Sequence, residues 1–212
     1  MTVTQILEAA RNNLNALTDT LWSDSELLST LYRVELKLAR RARTIENRYT
    51  TTAVAGTSQY VKPTRAIEIW RITYNGAKLR YIDFRQLDSI NPNSADSSGT
   101  PSHYSYYDDA FFLYPAPADA GTIVVFSYDE PDVPTVSSTL ETPSVYHDVL
   151  VDGLTAGMCP KDLGHPLTEY YTGKFEAGLI EAERFSRKRR RGDQFATVHC
   201  EEVLNTNQFG II

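Results

Sequence analysis

Residues 69–82 read IWRITYNGAKLRYI, two runs of alternating apolar and polar residues joined by Asn75-Gly76. Such a pair tolerates the positive φ angles of a type I′ turn, whose twist matches that of the strands on either side. With these two residues at the turn, Tyr74 faces Ala77, Ile72 faces Leu79 and Trp70 faces Tyr81. The three pairs share one face, and Arg71, Lys78 and Arg80 take the other. The middle of the chain therefore reads as antiparallel sheet.

The sequence on both sides of this hairpin extends the sheet. TTTAVAGTSQYVKP, residues 50–63, is rich in threonine and valine around a central glycine, and it reads as strand, turn and strand closed by Pro63. Downstream, SINPNSADSSGTP reads as a polar loop, and YYDDAFF as a second hairpin with its turn near Asp108 and Asp109. A further strand, TIVVFSYDEP, follows Gly121.

Beyond the strands the period changes from two to about 3.6 in both directions. Val3, Ile6, Leu7, Ala10, Leu14 and Leu17 mark one amphipathic helix. Ser23 and Glu26 have capping-box spacing and open a second helix whose stripe is Leu27, Leu31, Val34, Leu38 and Ile45. Arg40, Arg41, Arg43 and Arg48 lie near its C-terminal end, where cations suit the helix dipole. The short gap between these helices predicts that they pair antiparallel. After the strands, Val145, Val149, Leu150 and Leu154 mark a third helix, and Tyr171, Phe175, Leu179 and Phe185 a fourth. The expected fold class is α+β: an antiparallel helical bundle with an inserted antiparallel β domain and an extended C-terminal tail. The expected divisions are 1–48 and 141–192 for the bundle, 49–140 for the β domain and 193–212 for the tail, with a helix stop at Gly192.

With 212 residues and 42% hydrophobic side chains, the chain can bury a substantial core. No window approaches a membrane span or a signal peptide, so a soluble chain with no membrane partner is expected. The formal charge of −6 argues against a dedicated nucleic-acid binder. Cys159 and Cys200 are too few for a disulfide framework, and the four histidines, His103, His147, His165 and His199, have no helical i,i+4 partner among them. Phosphate-loop, nucleophile-elbow, dinucleotide and zinc-protease motifs are absent. The expectation is a protein that is not an enzyme and has no catalytic residues, cofactor or metal. The acidic stretch DEPD, Asp129 to Asp132, reads as solvated.

The blocks VAGTSQYVKP, ITYNGAKL, SGTPSHYSYYDDAFFLYPAPADAGTIVVFSY and ETPSVYHDVLVDGLTAG, in that order, resemble the head-to-tail connector (adaptor) proteins of tailed bacteriophages, especially the short-tailed type. The likeness covers roughly Trp22 to Phe175 and lies in block order. It implies a helical bundle with an inserted β domain, assembled as a homo-oligomeric twelve-fold ring beneath the portal protein. The further partners it implies are a tail nozzle or tail tube protein and genomic DNA passing through the channel. The implied location is the head–tail junction of the virion, with assembly in the host cytoplasm.

Two surfaces follow from the residues. The aromatic run from Ser98 to Pro117 exceeds what one core face absorbs, so Tyr104, Tyr106, Phe112 and Tyr114 are expected at a subunit interface. The run RFSRKRRRGD offers Arg187, Arg189, Arg190 and Arg191 for docking on the portal or a neighbouring subunit, together with Phe209, Ile211 and Ile212 at the chain end. The alternative reading is a nucleic-acid-binding protein that uses the basic run 184–191 to neutralise phosphates.

Overall fold

The computed structural model describes residues 1–15, 21–90, 97–161 and 167–206, with backbone alone at 90, 161 and 189–206. The chain divides into two compact units: Met1–Thr44 together with the chain from Pro131 onward, and Ile45–Glu130.

In the helical unit, α1 (Val3–Asn13) and α2 (Asp24–Ala42) both start at capping boxes, Thr2 with Gln5 and Ser23 with Glu26. α2 stops one turn earlier than its sequence stripe suggests. Arg43 takes a left-handed conformation at the C-cap, so Ile45 and Arg48 lie beyond the helix. The remaining helices are α4 (His147–Met158) and α5 (Thr168–Thr206). α4 is the central element and packs against α1, α2 and α5, while α1 packs chiefly on α4 rather than on α2. The expected α1–α2 pairing is thereby corrected. The apolar stripe of α4, with Leu150 and Leu154 fully buried, competes better for both faces than either helix does for the other.

Gly153 allows the close approach, because a Cβ there would lie 2.6 Å from Val34 and 2.8 Å from Phe175. On α5 the buried stripe runs through Tyr171, Phe175, Leu179, Ala182 and Ser186, so Phe185 is displaced to an exposed position, edge-on to Tyr146. α5 also continues through Gly192, where a stop was expected. One interior glycine costs about 1 kcal/mol relative to alanine, too little to end a helix of 39 residues. Residues 207–212 lie outside the described part.

A buried polar chain fixes the segment that enters α4. Thr142 donates to Glu35 Oε1 through its hydroxyl at 2.7 Å and its amide at 3.3 Å, and Glu35 is only 1% exposed. His147 Nε2 lies 3.0 Å from the Thr142 carbonyl, and its Nδ1 lies 2.8 Å from the Met1 ammonium. A carbonyl only accepts and an ammonium only donates, so the ring is held as the Nε2-protonated tautomer.

The β unit contains two four-stranded sheets. The first has the order β1-β10-β3-β4, from β1 (Glu46–Ala53), β10 (Gly121–Asp129), β3 (Ala66–Tyr74) and β4 (Ala77–Lys78). The second has the order β2-β8-β7-β5, from β2 (Gln59–Val61), β8 (Ala110–Tyr114), β7 (His103–Tyr107) and β5 (Arg80–Tyr81). A short helix, α3 (Phe84–Ile90), and a pair formed by β6 (Ser98–Gly99) and β9 (Ala116–Pro117) complete the unit. Most pairings are antiparallel, but β5–β7 and β6–β9 are parallel. The two large sheets meet through one apolar layer, where Ile72, Ile123 and Val125 of the first contact Tyr104, Phe111 and Leu113 of the second.

The Asn75-Gly76 turn forms as expected, with φ of 46° and 82°. Tyr74 pairs with Ala77, and the Leu79 amide donates to the Ile72 carbonyl at 3.0 Å. Trp70 and Tyr81 do not pair. The register against β10 skips Trp70 in a bulge between Phe126 and Ser127, and Arg80–Tyr81 leave the hairpin to join β7 in the other sheet.

The expectation that DEPD is solvated fails at its first residue. Asp129 is buried and accepts hydrogen bonds from Asn47 Nδ2 (2.9 Å), Ser127 Oγ (2.6 Å) and the Tyr49 hydroxyl. Three donors satisfy the carboxylate and join the first strand of the unit to its last. This is the usual way that a buried charge is tolerated.

Candidate functional site

Two surfaces stand out among the described residues, one in each unit. In the β unit the second hairpin turns at Asp108 and Asp109, pairing Tyr107 with Ala110, Tyr106 with Phe111, Ser105 with Phe112 and Tyr104 with Leu113. Directly opposed residues share a face. Tyr104 and Tyr106 therefore lie on the side that meets the first sheet, while Phe112 and Tyr114 lie on the other. The four aromatics expected at a subunit interface thus lie on two faces of the hairpin.

Their exposures differ as well. Tyr104 is 4% exposed and has almost no area to give to a partner, Tyr106 is 41% exposed, and Phe112 and Tyr114 are half-buried. The far face already has a cover within the chain. Phe84 of α3 stacks on Tyr107 at 5.1 Å and lies 5.1 Å from Phe112. Sequence reasoning overlooked this helix, although its signal was present: Asp83 accepts from the Arg85 amide at 2.9 Å, as a helix-start residue does, and Leu87 follows at core spacing.

At the edge of the unit, Trp70, Lys78, Leu79, Arg80, Tyr81 and Tyr104 line an open cleft of about 610 Å³. The bulge turns Trp70 outward, where it is 42% exposed and rests against Phe126 at 5.5 Å. Tyr81 contacts Tyr104 at 5.6 Å and Tyr106 at 5.1 Å. Burial, with smaller contributions from Tyr106, Tyr81 and Glu68, pushes the Tyr104 phenol up to about 12. Tyr81 is also raised, by burial first and then by Tyr106 and Asp83. Both phenols stay neutral donors at ordinary pH, and the cleft presents aromatic rings with two cations at its lip. That mixture is typical of the energetically dominant part of protein interfaces.

In the helical unit an ion network crosses from α2 to α5. Glu176 accepts from Lys37 at 2.5 Å and from Arg41 at 3.0 Å, and Glu183 accepts from Arg41 at 3.4 Å and from Arg187 at 2.5 Å. The bond from Lys37 is the main reason that the Glu176 carboxyl lies below its usual range, with Arg41 adding to it. Arg187, expected to dock on a partner, is thus tied to its own helix one turn back. Arg189, Arg190 and Arg191 lie in α5, but their side chains are outside the described part, as are Phe209, Ile211 and Ile212 entirely.

Among the described residues, His, Cys, Asp and Glu form no group of three or more that could hold a metal ion, and no helix is long and apolar enough to cross a membrane. What the described surface offers is contact area, rings and charge, the equipment of an assembly protein. The SU10 adaptor protein family matches residues 1–198, and the chain belongs to that family, a family of phage head–tail adaptors. No curated protein matches the chain.

Proposed function

We propose that the chain is a ring-forming structural adaptor that joins the portal vertex of a phage capsid to the tail and forms part of the wall of the DNA channel. The family match over residues 1–198 carries this reading. Copies associate head to tail into a twelve-fold ring, which closes because each subunit offers two different complementary surfaces to its neighbours. The exposed aromatic edge of the β unit supports one such surface: Tyr106 beside Tyr81 and Trp70 on one face, Phe112 and Tyr114 on the other. Tyr104 backs that edge from the core.

Arg187, Arg189, Arg190 and Arg191, with Phe209, Ile211 and Ile212, engage the portal or the adjacent subunit, and a tail nozzle or tail tube protein attaches on the opposite side. The protein assembles in the host cytoplasm and functions without catalysis or cofactor. Co-sedimentation with portal rings tests the reading. Wild-type chain should travel with the portal, and deletion of Asn207 to Ile212 should weaken that attachment while leaving the melting temperature unchanged. A chain that never co-sediments with portal, under conditions where the portal itself is assembled, overturns the proposal.

A further inference from the structure

The open edges of the two large sheets are unequal. β2 has three residues, β4 and β5 have two each, and the stretch of β3 beyond β4 shifts register twice against β10. Short or bulged edges resist the addition of a further strand. β1 is different: eight residues in unbroken register with β10, without proline, glycine or lysine. Its charges, Glu46 and Arg48, lie in the first half and leave Thr50 to Ala53 without one. The Asp129 amide donates to the Ile45 carbonyl at 3.0 Å, and in an antiparallel pair each residue turns both backbone groups to one side, alternating along the strand. Asn47, Tyr49 and Thr51 therefore face β10, while Arg48, Thr50 and Thr52 turn their N–H and C=O groups outward. None of the described residues hydrogen-bonds to those outward groups.

We propose that the open edge of β1 takes residues 207–212 of a neighbouring copy as an added strand. The proposal rests on the adaptor reading and deepens it by naming where on the adjacent subunit that segment engages. Strand addition draws affinity from main-chain hydrogen bonds and selectivity from alternate side chains. The face of β1 that meets the second sheet carries Tyr49, half-buried against the apolar layer, and the exposed Thr51. The opposite face carries Arg48, Thr50 and Thr52, all exposed. An added strand therefore needs apolar side chains at alternate positions on one side, where they extend the layer past Tyr49, with small or polar ones between them. Residues 207–212, NQFGII, have this pattern: Phe209 and Ile211 fall on one side and Gln208 and Gly210 on the other, with Ile212 following. Six extended residues span about 20 Å, within the length of the eight-residue β1. The other stretches outside the described residues, 16–20, 91–96 and 162–166, each carry an aspartate and at most one large apolar residue.

The test uses the full-length chain, dilute enough to be monomeric, and a labelled peptide of residues 205–212. Fluorescence anisotropy reads binding, and residue-resolved amide exchange locates it. The peptide should bind and slow exchange at Arg48, Thr50 and Thr52 by about tenfold or more, with little change at Tyr49 and Thr51, which already face β10. Thr50→Pro/Thr52→Pro removes two outward donors and leaves the bonds to β10, a substitution that edge strands tolerate. That variant should bind the peptide about tenfold or more weakly than wild type and lose copies from the portal-bound ring. If its thermal melt shows that it is unfolded, a peptide carrying Phe209→Ser/Ile211→Ser, which should not bind wild-type chain, carries the test. Unchanged exchange at the three outward amides, equal affinity of the folded proline variant, equal affinity of the serine peptide, or protection of those amides before peptide is added each overturns the proposal. So does a peptide that binds assembled portal and leaves β1 unaltered. The adaptor reading survives any of these results if wild-type chain still closes a ring on the portal, and it fails on its own if no ring forms there.

Discussion

Gly153 and Gly173 give a matched pair of substitutions that tests how tightly the helical unit is packed. Both sit inside helices, so changing either to alanine gains about 1 kcal/mol of helix propensity. At Gly173 nothing lies within 4 Å of the new Cβ, and that gain should appear almost undiminished. At Gly153 the Cβ would come within 2.6 Å of Val34 Cγ1 and 2.8 Å of Phe175 Cδ2, closer than real Cβ contacts allow. Val34 and Phe175 are buried and belong to different helices, so relief at one worsens packing at the other. Overpacking costs about 1–3 kcal/mol, and with two buried neighbours on different helices struck at once the upper part of that range, about 2–3 kcal/mol, applies; it outweighs the propensity gain and leaves a net loss of about 1–2 kcal/mol. A chain of this size loses or gains roughly 2–4 °C per kcal/mol. Helical circular dichroism followed through thermal unfolding should therefore show Gly173→Ala melting about 2–4 °C above wild type and Gly153→Ala about 2–8 °C below it. If Gly153→Ala melts at or above the wild-type temperature while Gly173→Ala is raised, α4 does not approach α2 and α5 as described.

Further expectations concern pH and the aromatic edge. The Tyr104 phenol is raised in the fold to about 12 from 10.0, so its contribution is fully present below pH 10 and is lost as pH rises from there towards 12; the phenolate absorbance of this residue should appear only with unfolding. Early titration of all thirteen tyrosines with the fold intact would contradict its burial. Glu176 is lowered in the fold from 4.5, so its ion pairs contribute above that pH and fade as pH falls through the folded value. Glu176→Gln should remove that part of the acid dependence, a small effect of about 0.2–1 kcal/mol because the pairs are exposed, and an unaltered acid melting profile would count against the network. Tyr106→Ser should leave the melting temperature nearly unchanged and weaken assembly, since 41% of its surface is exposed, and full assembly of that variant would remove Tyr106 from the interface.

What could be read from the sequence was local, and what escaped it was set by distant packing. The Asn75-Gly76 turn and the Ser23–Glu26 capping box each depend on a few neighbouring residues, and both formed as the residues require. The Trp70–Tyr81 pairing failed because a bulge against β10 and a change of sheet after Leu79 are decided by strands some fifty and twenty residues away, respectively, with no mark in the hairpin itself. α4 intervenes between α1 and α2 although it follows the whole β unit, and a short loop between two helices says nothing of that competitor. One feature of the candidate site was local as well. A two-residue turn at Asp108-Asp109 already sets Tyr104 opposite Leu113 and Ser105 opposite Phe112, which puts the proposed interface aromatics on opposite faces. The basic run was legible as charge, but its link to Lys37 and Arg41 through Glu176 and Glu183 needed the fold.

Electron microscopy of the purified chain bound to portal, with native mass spectrometry of the same complex, decides whether the chain is a ring-forming adaptor at the portal vertex. The expected result is a closed ring of twelve copies stacked coaxially on the portal, with the exposed edge around Trp70, Tyr81 and Tyr106 turned towards a neighbouring subunit. A chain that remains monomeric on the portal, or that binds it at scattered positions without closing a ring, would contradict it.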